Sequence, residues 1–73
     1  MTHRQECIAH CKEALENRNL SHVFEEKVFT HYYHKNNGAQ GNAFLIGIKT
    51  ADMMIEQYQP KPADLEFYNQ FFD

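Results

Sequence analysis

Ala39-Gln40-Gly41-Asn42-Ala43-Phe44-Leu45-Ile46-Gly47-Ile48-Lys49-Thr50-Ala51-Asp52-Met53-Met54-Ile55-Glu56-Gln57-Tyr58-Gln59 is the stretch on which the fold turns. On a helical wheel Ala39, Ala43, Gly47, Ala51 and Ile55 fall on one i,i+4 ridge. All but Ile55 are small, and small residues on a ridge let a second helix approach closely. Phe44, Ile48, Met54 and Tyr58 flank one side of the ridge, and Ile46 and Met53 the other. Asn42, Lys49, Asp52 and Glu56 form a narrow polar stripe. The apolar arc covers roughly 220°, against about 100° for an ordinary surface helix. A helix this apolar belongs at the centre of the fold.

The same stretch contains a rival. Ala43 to Ile48 also reads as a short buried strand, and Gly41 and Gly47 each weaken a helix by about 1 kcal/mol relative to Ala. Helix is the expectation for two reasons. The helical spacing continues through Ala51, Met54, Ile55 and Tyr58, and a lone strand would have nothing in this chain to pair with.

Two helices are expected before it. His3 to Asn17 places Cys7, Ile8, Cys11, Ala14 and Leu15 on one face, with Lys12, Glu13 and Glu16 opposite. Thr2 caps it, and Gln5 completes a capping box three residues on. Asn17-Arg18-Asn19 is the exit loop. Ser21 is the expected cap of a second helix from His22 to Asn36, whose apolar face carries Phe24, Val28, Phe29, Tyr32 and Tyr33. Asn36-Asn37-Gly38 stops it, because Asn and Gly tolerate the left-handed backbone of a helix end. After the third helix, Pro60-Lys61-Pro62 breaks the chain, and Ala63 to Phe72 fits a short terminal helix. The expected fold is therefore all-α, a single domain over residues 1–73. It is a small bundle of three main helices plus a short C-terminal one.

Composition narrows the function. The chain has 73 residues, 42% hydrophobic and 23% charged, which is the balance of a folded protein rather than a disordered one. No apolar run approaches the roughly 20 residues that span a bilayer. Met1-Thr2-His3-Arg4-Gln5-Glu6 lacks the apolar stretch of a secretory leader. The expectation is a cytoplasmic protein with no membrane association. Net charge is −3 with histidines neutral, and the seven basic residues are scattered, so nucleic-acid binding is not expected. Five histidines make the charge depend on pH between about 5 and 7.

Three constellations carry possible chemistry. His3, Cys7, His10 and Cys11 cluster on one side of the first helix. They are weak candidates for a metal site, because one helix cannot wrap four ligands around an ion and no second knuckle follows. Cys7 and Cys11 otherwise serve as small buried residues. His31-Tyr32-Tyr33-His34 places its aromatics inward and its histidines outward, beside a thin basic strip of Lys27, His34 and Lys35. Glu25 falls between Val28, Phe29 and Tyr32, where an apolar site would raise its pKa. Gly38-x-x-Gly41 lacks the ending of a phosphate loop. Neither an enzyme nor a cofactor is expected.

What remains is apolar surface. Leu65, Phe67, Tyr68, Phe71 and Phe72 lie on more than one face of the C-terminal segment and suit a partner-binding role. Ala43, Gly47, Ala51, Met54 and Tyr58 suit helix packing or a dimer. The sequence thus points to a small protein-interaction module (regulator, adaptor or inhibitor) that forms a homodimer. The alternatives are a His/Cys metal-binding helical protein and a nucleic-acid-binding regulator.

Overall fold

The computed structural model describes residues 1–58, with Tyr58 described through its backbone only. The expected helix over residues 63–72, and with it Leu65, Phe67, Tyr68, Phe71 and Phe72, lies outside the described residues, as does the Tyr58 side chain. Among the described residues the fold is all-α, with three helices, two single 3₁₀ turns and no strand.

Helix α1 spans His3–Glu16. Its start is the capping box: the Gln5 amide donates to Thr2 Oγ1 at 3.2 Å, and the Thr2 amide donates to Gln5 Oε1 at 2.9 Å. At its end Asn19 takes a positive φ of 58°. The Leu20 amide then reaches back to the Leu15 carbonyl at 2.8 Å and the Asn19 amide to that of Glu16 at 2.9 Å. This is the Schellman pattern, and it satisfies carbonyls the helix leaves free.

Helix α2 spans Glu26–Lys35, not His22 to Asn36. Ser21–Val23 is a separate 3₁₀ turn, and the residue in the capping position of α2 is Glu25 rather than Ser21. The reason lies in Val23. Six residues before Phe29, it would point about 120° away from Phe29 on a continuous helix. Extended backbone at Phe24 and Glu25 breaks that continuity. Val23 and Phe29 are then both buried, at 4% and 0% exposure. Two residues past the end of α2, Asn37 takes a left-handed backbone (φ 53°) that reverses the chain.

Helix α3 spans Ala43–Tyr58, so the segment Ala43 to Ile48 is helical. It begins four residues later than Ala39. Asn42 caps it, its Oδ1 accepting from the amides of Phe44 and Leu45 at 3.0 and 3.2 Å. Gly38–Gln40 forms a 3₁₀ turn instead, so Ala39 is exposed and stands outside the ridge.

The contacts between α1 and α3 progress along both helices in the same sense. His3 bonds the turn leading into α3, His10 and Cys11 meet Gly47, and Arg18 pairs with Asp52 at 2.6 Å. α1 and α3 therefore run side by side in parallel and α2 is the return, packed more sparsely on α3. The core comprises Cys7, Cys11, Leu15, Val23, Phe29, Tyr33, Ile46, Ala51, Met54 and Ile55. Thr50 is also fully buried, and its hydroxyl has no hydrogen-bond partner.

The closest approach of one helix backbone to another at a glycine is at Gly47. A Cβ there would lie 2.5 Å from the His10 Cβ, 2.9 Å from the Cys11 amide nitrogen and 3.0 Å from the Cys7 carbonyl oxygen. Two of these are backbone atoms that cannot swing aside. Gly47→Ala should therefore lower the melting temperature. Ala gains about 1 kcal/mol in helix propensity over Gly, whereas overpacking costs about 1–3 kcal/mol. Thermal denaturation reads the sign, and a raised midpoint would mean that α1 does not approach this closely.

Candidate functional site

α1 presents His3, Cys7, His10 and Cys11, but the fold sends them in different directions. His3 Nε2 lies 2.6 Å from the Gly38 carbonyl oxygen and 3.7 Å from Cys7 Sγ. The carbonyl can only accept, so Nε2 carries the hydrogen and cannot take a proton from the thiol. Cys7 and His3 are thus neighbours without being a nucleophile–base pair. His10 sets its ring edge-on against Phe44, with centroids 5.4 Å apart. Cys11 donates to Met54 Sδ at 3.8 Å. Among the described residues no group of three or more His, Cys, Asp or Glu is placed to hold a metal ion.

Both thiols are free and fully buried. Burial pushes the Cys11 pKa up to about 11, with Lys12 opposing only in part. Burial also raises that of Cys7, and Glu6 adds to the effect. Thiols held in the neutral form are poor nucleophiles and poor ligands. They act here as small apolar side chains in the seam under Gly47.

The other polar candidates face outward. Glu25 is exposed in the residue before α2, not held among Val28, Phe29 and Tyr32, because the helix starts only at Glu26. His31 and His34 are exposed and stack edge-on against Tyr32 and Tyr33. Lys27 and Lys35 are exposed on the same helix. Arg4 crosses to α2, donating to Thr30 Oγ1 at 2.7 Å and lying 3.6 Å from Glu26.

Of the α3 residues, Gly47, Ala51 and Met54 are buried within the chain and Ala43 is half-buried. Their ridge is taken up by packing inside one copy. Among the described residues of α3, the large apolar side chains left exposed are Phe44 and Leu45, at 54% and 53%. Beside Phe44 is a cleft of about 130 Å³ between α1 and α3, lined by His10, Glu13, Ala14, Asn17, Phe44 and Ile48. A second, larger groove of about 340 Å³ lies between α2 and α3 and is lined by Lys27, Val28, His31, Tyr32 and Gln57. Tyr32 donates its hydroxyl to Gln57 Oε1 across it at 2.9 Å.

No protein-family model matches this chain, and no curated protein or solved structure shows significant similarity to it. The surface must therefore be read on its own chemistry. Leu45 is the residue that sequence reasoning passed over. It sits between Asn42 and Lys49 in the polar stripe, and a large apolar residue interrupting such a stripe was the available signal. Among the described residues no helix is long and apolar enough to cross a membrane.

The Cys11 thiol generates a test. Its folded pKa lies above the ordinary thiol value of 9.0. The unfolded chain therefore loses that proton first, and stability should fall as pH rises from about 9 toward 11. Urea denaturation across this range checks it against Cys11→Ala, in which the fall should be smaller. Equal falls in the two proteins would show that the thiol is not held neutral by the core.

Proposed function

We propose that this chain is a small, non-catalytic protein-interaction module. It binds another protein and pairs with a second copy of itself through the face made by Phe44 and Leu45. The observation that carries this reading is a pair of large apolar side chains, each more than half exposed, about 100° apart around the first turn of α3. Exposed apolar surface of this kind marks interaction sites. The patch is continuous with the cleft bounded by His10, Ala14 and Ile48, which offers a recess for a side chain from the other partner. Covering what remains exposed of Phe44 and Leu45 would contribute about 1–1.5 kcal/mol each, roughly half the value for a fully exposed side chain.

Two buried free cysteines suit a reducing compartment, which supports a cytoplasmic setting.

Sedimentation velocity over a range of concentrations tests the proposal. The wild-type chain should shift from monomer toward dimer as concentration rises. Phe44→Ser/Leu45→Ser should remain monomeric with an unchanged helical circular dichroism spectrum. A wild-type chain that stays monomeric at the highest attainable concentration, or a variant that associates equally well, would refute this interface.

A further inference from the structure

The groove between α2 and α3 is distinct from the Phe44 patch, and the chain itself carries a segment suited to fill it. We propose that residues 63–73 dock into the groove lined by Lys27, Val28, His31, Tyr32 and Gln57 of the same chain. The segment reads Ala-Asp-Leu-Glu-Phe-Tyr-Asn-Gln-Phe-Phe-Asp, and its charged residues are three acids with no base. The groove presents the opposite chemistry. Lys27 and His31 edge it, and the half-buried Val28 and Tyr32 form its apolar lining. The nearest acid on α2, Glu26, is turned toward Arg4.

Tether length points to the same place. Gln57 lines the groove, and residue 59 lies only two positions further on. Pro60 and Pro62 prevent the chain from simply continuing α3, since proline removes a backbone donor and disfavours helical backbone in the residue before it. Docking in this groove therefore needs only a turn.

The cleft beside Phe44 fits less well because of its charge. Its charged lining residue is Glu13, which would repel Asp64 and Glu66.

A charge swap on the full-length chain tests the proposal, with chymotrypsin cleavage after Tyr68 and Phe71 as the readout. Cleavage under native conditions follows the population in which the segment is undocked. Lys27→Glu/His31→Glu alters no residue near these bonds and should speed cleavage about fivefold, the scale expected for two surface ion pairs turned repulsive. Asp64→Lys/Glu66→Lys should do the same. Combining all four substitutions should restore the wild-type rate to within about a factor of two. Circular dichroism confirms that each variant keeps α1 to α3. Equal rates in all four proteins, or a combination no slower than either parent, would overturn the docking. Protection that strengthens with protein concentration would also overturn it, because the segment in the groove would then belong to a second copy.

Discussion

The contact between α1 and α3 at Gly47 sets the geometry of everything else. With only hydrogens on that α-carbon, the α1 backbone at Cys7 and Cys11 comes within a methyl group's reach of α3. So close an approach admits only small side chains nearby, and the seam supplies Cys7, Cys11 and Ala51, all fully buried. The cysteines are therefore explained by volume. Dry packing raises the pKa of each thiol, and the same packing makes them inert. One packing constraint accounts both for the small-residue ridge and for the loss of the apparent metal cluster on α1.

The constraint also decides which surfaces are left over. The apolar arc of α3 is wider than one close neighbour can cover. α1 takes the ridge, and α2 takes the side carrying Ile46 and Met53, with Asn36 Nδ2 donating to Met53 Sδ at 3.4 Å. Asn42 fixes the first turn of α3, which places Phe44 and Leu45 at its exposed end. α2 packs more sparsely on α3 than α1 does, and beside Gln57 a groove is left between them. Among the described residues, both candidate interaction surfaces are places where the packing around α3 runs out.

Much of this was legible in the sequence where a local rule acts alone. The Thr2–Gln5 capping box, the stop at Asn37 and the helical reading of Ala43 to Ile48 needed only neighbouring residues. The misplaced helix starts have two causes: tertiary demand overrode a plausible cap at α2, and a better local cap moved the start of α3. Ser21 has the right chemistry to begin α2, but burying both Val23 and Phe29 requires a break between them. Ala39 continues the ridge in register, but Asn42 caps better and the turn at Gly38–Gln40 needs the intervening residues. Gly38 illustrates the limit further, since the Tyr33 ring packs against it so closely that a Cβ would clash. No neighbouring residue announces that contact. The exposure of Phe44 was likewise hidden, because a helical wheel shows which residues share a face and not which neighbour covers it.

Nuclear Overhauser spectroscopy on the full-length chain measures the central contact directly. The close approach predicts cross-peaks from the Gly47 α-protons to the His10 β-protons and to the Cys11 amide proton. Assigned Gly47 resonances that show cross-peaks only within α3 would contradict it, and the account of the cysteines and of both leftover surfaces would fall with it.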